Sequence, residues 1–439
     1  MNEQARLRLA TSQESVDPHI NPDGSTDFFK HYLDYTSGTE VPAHANRWSS
    51  IGMLGAWLGR NIYVKFGSAK LYANQYIMLL GEAGSKKSTA IKTAKRVLKQ
   101  AGYTNFSAEK ISKEKFLEEL SKQQGAAASV GGFDNILDQQ LFGEIDDCDY
   151  RETWICADEF NEFFANNIFE FCSTLGNLWD YDGKYENSVK HGQSVVIPNP
   201  TVSILSGNTP TTFSNTFPAE TIGQGFFSRI LAIHIKESGR RITWPKEPTE
   251  VESDLLVQRL IEIKNYHTGE VIVTDESLKL IDRIYQNWKK IPDSRFESYS
   301  NRRLTHLIKL CLIHAASRLS TTIDPIDIRR ANTVLDYTEH YMPEAFGEFG
   351  TARNSGMTHK IIKELELSTE LLDLHALWAK MQLDFDKIDT FQSHIMGMVQ
   401  AGKLQYTPAG KLLPMKRILE TPTNEFLDYR YMIAEERGE

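Results

Sequence analysis

Apolar positions along this chain switch repeatedly between two periods, and each switch marks an element. From Phe28 to Tyr35 and from Ala43 to Leu58 they recur at helical spacing, in the second stretch as Trp48, Ile51, Leu54 and Leu58. "NIYVKF" reads as a short strand. "QYIMLL" (75–80) is an unbroken apolar run closed by Gly81, the pattern of a strand buried on both faces of a parallel sheet. Lys87 to Ala101 returns to the helical period, with Ala90, Ile91, Ala94, Val97 and Leu98 on one face and Gly102 as the stop. Another helix is predicted over 113–123, followed by a loop at "GAAASVGGFDN". Strands are predicted again at "TWICAD" (153–158), "TVSILSG" (201–207) and "RILAIHI" (229–235). Strands alternating with helices in this way predict an α/β fold with a parallel sheet.

After Pro245 strands nearly stop, and the spacing predicts helices over 251–265, 275–290, 302–319 and 325–340. "GEFGTARNSG" (347–356) reads as a linker, and beyond it three short helices and the pair "KLQYT…KLLPM" predict a winged helix. The expected division is a disordered arm (1–25), a helical N-terminal segment (26–70), an α/β core (71–245), a helical lid (246–346), the linker, a winged-helix domain (357–419) and an acidic tail (420–439).

A chain of 439 residues is long enough for two or three domains, with the 41% apolar and 24% charged composition of a globular protein. Its net charge of −9 excludes a generally basic nucleic-acid coat, so any DNA contact must come from local basic groups. Cysteines at 148, 156, 172 and 311 have neither zinc-site nor disulfide-framework spacing and suit a reducing cytoplasm. No apolar run reaches the length of a membrane span and the polar start is no signal peptide, so the expected setting is the cytoplasm of a bacterial or phage-infected cell.

The chemistry concentrates at "GEAGSKKS" (81–88), which follows a buried strand and opens a helix. It matches the phosphate-loop pattern G-x-x-x-x-G-K-[ST] except that Lys86 stands where the second glycine belongs. Gly81, Gly84, Ser85, Lys86, Lys87, Ser88 and Thr89 are the candidate ATP-binding residues. Backbone N–H groups at the helix start would hold phosphates, Lys87 would reach the β- and γ-phosphates, and Ser88 would ligate Mg²⁺. "TWICADEF" carries the expected acidic partners 71 residues after Lys87, with Asp158 as second metal ligand and Glu159 as the group that polarises the attacking water. "SILSGNTP" places Asn208 where an amide can position that water, and "GQGFFSRILAI" places Arg229 just before another apolar strand. An arginine delivered across a subunit interface stabilises charge on the transferring phosphoryl group.

These pieces resemble the minichromosome maintenance branch of AAA+ helicases. That branch also lacks the second glycine, writing roughly G-D-P-G-x-A-K-S. Its hairpin with K-A-G at the tip is matched by Lys190-His191-Gly192, 18 residues before Asn208, and its L-S-R-F-D by Ser228-Arg229 without the Phe-Asp. Its R-x-L-E-x-L-I-R-L is matched by "RRLTHLIKL", with Arg302 in register and Thr305 replacing the glutamate. The chain is also similar to a family of P-loop proteins from phages and mobile elements, sharing "RWSS", "LGR", "YDGK" and "FSR". The resemblance covers about 43–346 and lacks the β-rich N-terminal domain of the helicases.

It implies an α/β AAA+ P-loop core with a parallel sheet, a helical N-terminal extension, a helical lid and a C-terminal winged helix. Glu159, Asn208, Arg229 and Arg302 would be catalytic, with both arginines reaching a neighbouring subunit's nucleotide. In a ring, expected to be a hexamer, Lys190 would touch single-stranded DNA in the channel, with His191 and Lys184 as further contacts. Wing residues Lys403, Lys411, Lys416 and Arg417 could contact DNA, or the wing could pack on a partner protein; a primase or another replication protein is a further candidate partner of the chain. The expected activity is an ATP-dependent DNA helicase or translocase in phage or mobile-element replication. Alternatives are a helicase loader or protein–DNA remodeller, and a nucleotide-switched origin-binding or regulatory protein. Glu159 speaks against the switch, which has no need of a water-activating carboxylate.

Overall fold

The computed structural model describes residues 20–123, 149–188, 194–217, 225–346, 355–400, 404–414 and 425–432, apart from residues 22, 237, 239, 292, 369, 386 and 431. Near the N-terminus Asp27 caps α1 (Phe28–Thr36) by accepting from the backbone N–H of Lys30. In α2 (Ala43–Leu58) every residue from His44 onward is buried. Its Trp48 donates to Thr338 Oγ1 at 2.9 Å. A helix enclosed on every side is a core element, so the N-terminal helical segment packs into the larger unit. Within the expected disordered arm, Asn21 accepts from Arg330 at 2.9 Å and Ile20 bridges to Thr26; residues 1–19 lie outside the described residues.

An antiparallel pair, β1 (Ile62–Phe66) and β2 (Ala69–Tyr72), leads into the central sheet. Strand β3 (Tyr76–Leu80) is buried throughout, and the amphipathic α3 (Lys87–Gln100) follows it, then α4 (Lys113–Lys122). Strand β4 (Arg151–Ala157) is followed by the short α5 (Phe160–Phe163) and by α6 (Ile168–Leu178). A hairpin of β5 (Lys184–Asn187) and β6 (Val195–Pro198) intervenes before β7 (Pro200–Asn208), which is buried at all nine positions. After α7 (Pro210–Thr216), a 3₁₀ turn at Phe227–Arg229 enters β8 (Ile230–His234).

The sheet runs β4-β7-β3-β8, with every neighbouring pair parallel. A parallel bridge between Phe106 and Trp154 adds a short segment beside β4. In register, Leu80 lies beside Asn208 on one side and His234 on the other, while Ala157 faces Ser206. The ends of β3, β4 and β7 therefore come level at one edge of the sheet.

The helical part that follows contains α8 (Glu250–Tyr266), α9 (Asp275–Asn287), α10 (Glu297–Ser300), α11 (Arg303–Ser317) and α12 (Pro325–Phe346). Thr249 and Glu252 form a reciprocal capping box at the start of α8. Two-residue strands also occur here, β9 (Gly269–Glu270) beside β1 and β10 (Ile272–Val273) beside β11 (Thr322–Ile323). This part and the α/β core belong to one compact unit, which also takes in the chain from Pro422 onward. The expected acidic tail thus includes a docked segment. Asn332 donates to the Phe426 carbonyl at 3.0 Å, the Asp428 N–H donates to Thr333 Oγ1 at 2.8 Å, and Tyr429 and Met432 are buried.

The second unit spans Gly347–Thr421. It holds α13 (Ser355–Leu367), α14 (Leu374–Met381), α15 (Ile388–Gln400) and an antiparallel pair, β12 (Leu404–Tyr406) with β13 (Leu412–Pro414). Ile361, Leu377, Phe391, Ile395 and Leu412 are buried in its own apolar core. The linker residues 347–354 lie outside the described residues.

Candidate functional site

Gly81 leaves β3 where a side chain has no room, since a Cβ there would meet the Ile235 carbonyl oxygen at 2.5 Å. Its N–H donates to the Asn208 carbonyl at 3.3 Å, which ties the loop to the end of β7. Ser85 is buried, and its hydroxyl donates to the Glu82 carbonyl at 2.8 Å. Gly84 and Lys86 both take positive φ, 89° and 63°. Lys86 therefore adopts the left-handed conformation that glycine reaches without strain, and it does so at the second-glycine position. Its ammonium lies 3.3 Å from Glu40, ahead of α2. The side chain is half-exposed and paired.

Lys87 is buried at the first position of α3. Its ammonium donates to the carbonyls of Gly81 and Glu82 at 2.7 and 2.9 Å, and to Ser85 Oγ at 3.1 Å. Burial pulls its pKa down, while the carboxylates of Glu159 and Glu82 act in the opposite direction. Ser88 is half-buried and Thr89 exposed in the same helical turn. The helix start adds the positive end of its dipole, so the loop presents an ammonium and N–H donors in a pattern suited to an anion.

Asp158 and Glu159 follow β4 and are both partly exposed. Burial raises the Glu159 carboxyl pKa, and the charge on Lys87 opposes the shift. Asp158 pairs with Lys92 of α3 at 2.5 Å. Asn208 is wholly buried, its Oδ1 accepting from the Thr209 N–H at 2.9 Å while its Nδ2 has no partner among the described residues. A buried amide donor without an acceptor costs about 1–3 kcal/mol, so this one is available to an acceptor brought into the site. Loop, carboxylates and amide thus meet at the carboxyl ends of neighbouring parallel strands, where ligands of open α/β sheets bind. No protein-family model matches this chain, and no curated protein matches it.

The arginines lie elsewhere. Arg229 immediately precedes β8, level with the start of β3, so the length of the sheet separates it from the loop of its own chain, on the order of 20 Å. Burial lowers its pKa, and the nearby Arg302 adds to the shift. Arg302 stands at the start of α11, half-buried, whereas its neighbour Arg303 is buried against Glu339 at 2.8 Å. Lys184 is exposed at the base of the hairpin, opposite Pro198. Lys190, His191, Lys403, Lys416 and Arg417 lie outside the described residues. Lys411 is partly exposed, and its backbone forms an antiparallel β-bridge with that of Asp373.

Sequence reasoning missed Glu40 and Lys92. Lys92 sits one turn after Ser88, and that spacing is a signal that could have marked it. Glu40 has none, since only the fold brings it to the loop.

Proposed function

We propose that this chain is a Mg²⁺-dependent ATPase whose site is completed by a second copy, and that it acts on DNA as a ring-forming helicase or translocase. What carries the reading is the meeting of Lys87, Asp158, Glu159 and the unpartnered Asn208 amide at one sheet edge. Phosphate oxygens would replace the Gly81 and Glu82 carbonyls as acceptors for Lys87, a charge-assisted exchange that leaves the ammonium paired. Glu159, its basicity raised by burial, suits a group that takes a proton from water, and the Asn208 amide suits one that orients it.

The donor set fits Mg²⁺. Among the described residues no three His, Cys, Asp or Glu side chains gather into a metal centre. Mg²⁺ needs none, since it takes one or two protein oxygens and fills its octahedron with phosphates and water. Ser88 and Asp158 would hold it, with Asp158 released from Lys92. The bound ion would neutralise charge on the phosphates.

The need for a second copy follows from the separation of Arg229 and Arg302 from their own loop. Both are cationic and close together, a combination that suits an anionic group presented by a neighbour. DNA contact through the hairpin, and a winged-helix role for 357–419, belong to the same proposal.

Lys87→Ala is expected to lose ATP binding and hydrolysis, and Glu159→Gln to retain binding while turnover falls roughly 10²- to 10⁴-fold. Wild-type turnover in either would overturn the assigned roles. Arg229→Ala subunits mixed with Lys87→Ala subunits should regain activity, because one seam type then has both a sound loop and a sound arginine. Unwinding of a forked duplex by the wild type tests the helicase assignment; hydrolysis without strand separation favours a loader or remodeller.

A further inference from the structure

Lys309 on α11 is fully buried, and nothing at the loop uses it. A buried ammonium is costly unless paired and hydrogen-bonded. This one pairs with Asp180 at 2.8 Å and donates to Asn74 Oδ1 at 2.8 Å and to the Asn74 carbonyl at 3.3 Å. It also lies 4.3 Å from the ring centroid of Trp179, and the Arg229 guanidinium lies 5.8 Å from that same centroid. Two cations thus share one indole.

Trp179 is held from several directions. It is 1% exposed, its carbonyl accepts from Asn74 Nδ2 at 2.8 Å, and its ring touches those of His306 and Tyr76. His306 in turn bonds the carbonyl of Ser228, the residue before Arg229, at 3.2 Å. Arg229, by contrast, has no carboxylate partner among the described residues. It donates to the Gly225 carbonyl, and its Nε is buried without a partner. Its contacts are the indole and one carbonyl, and the charges of Asp180 and Arg302 act on it from nearby. Beyond Asp180 the chain is gripped by Arg60, which donates to the Tyr181 carbonyl and pairs with Asp182 at 3.2 Å, and it then enters β5.

We infer that Lys309, Asp180 and Trp179 form a joint that positions Arg229, fixing its guanidinium so that it can serve a neighbouring copy. The inference rests on the proposed role of Arg229. Lys309 and Asp180 are positioning residues: they act through Trp179 and touch no substrate. A mispositioned charge loses much of its effect, because electrostatic stabilisation depends on donors fixed in advance.

The test is Lys309→Met combined with Asp180→Asn, which removes both charges together and leaves no unpaired buried ion. Hydrolysis should fall at least about tenfold, a part of the roughly 10³-fold or greater effect of such an arginine. Affinity for ATP should stay within about twofold and the thermal midpoint near that of the wild type, because the loop lies at the other sheet edge. Mixing with Lys87→Ala subunits, whose joint is intact, should restore activity. Trp179→Phe, which keeps an aromatic face, provides a second variant and should show the same pattern in weaker form. Full-rate hydrolysis by both variants, or ATP affinity falling in step with turnover, would overturn the inference. If Arg229→Ala is inactive while the joint variants are active, only the joint is refuted. If Arg229→Ala turns over like the wild type, the reading beneath it falls as well.

Discussion

Lys86 shows how a departure from a motif can be absorbed by one residue's surroundings. The loop needs a left-handed conformation at that position, which costs a residue with a Cβ roughly 1–2 kcal/mol. The pair with Glu40 returns little of that, since both side chains remain partly exposed and solvent screens them. Lys86→Gly removes the strain and the pair together and adds about 0.5–1 kcal/mol of chain entropy cost. Its stability in urea should accordingly lie within about 1 kcal/mol of the wild type, with ATP affinity within about twofold. Lys86→Val keeps the strain and adds a β-branch, so it should destabilise by about 1 kcal/mol or more. A tenfold loss of ATP affinity in Lys86→Gly would instead make Lys86 a phosphate ligand. The break in the motif is legible in the sequence; its accommodation is not, because it depends on a backbone angle and on Glu40, which only folding brings near.

Among the elements, β7 has the most demanding position, lying between the loop strand and the acidic strand. Gly207 is where that position leaves no space. A Cβ there would meet the Asp158 carbonyl oxygen at 2.7 Å and Ile91 Cδ1 at 3.3 Å, with Lys87 Cβ at 3.6 Å. Gly207→Ala should force β7 away from β4 and α3, destabilising by about 1–3 kcal/mol in denaturant unfolding and lowering turnover more than the stability loss accounts for. Wild-type turnover in a folded Gly207→Ala variant would show that this packing does not set the site. The strands themselves were readable, since runs such as 76–80 and 201–207 have no other buried use. Their order in the sheet was not, because pairing is a non-local choice that no single run encodes. The burial of α2 was hidden for another reason. Its Asn46, Arg47, Ser49 and Ser50 look like a solvated face, yet all four are buried, with Ser50 donating to the Arg47 carbonyl at 2.7 Å and Arg47 over the Phe29 ring.

For the molecule as a whole, the chain leaves the larger unit at Phe346 and returns to it at Pro422. The returning segment adds contacts along one face of α12: Asn332 with the Phe426 carbonyl, Thr333 with the Asp428 N–H, and Asp336 with the Tyr429 hydroxyl. Burial of Tyr429 and Met432 adds apolar area to these bonds. A chain ended after Phe346 therefore loses more than its second unit, because it also uncovers α12. A chain in which 347–421 is replaced by a flexible linker of about twenty Gly and Ser residues keeps the cover. The linked form should melt several degrees above the truncated one, a difference of about 2 kcal/mol, the order left when the entropy of ordering the segment offsets most of what two buried side chains and their hydrogen bonds contribute. Equal melting temperatures would mean that the returning segment contributes no stability. Should the linked form also match the full chain in hydrolysis while failing to separate a forked duplex, the second unit would be assigned to DNA handling and the larger unit to the chemistry.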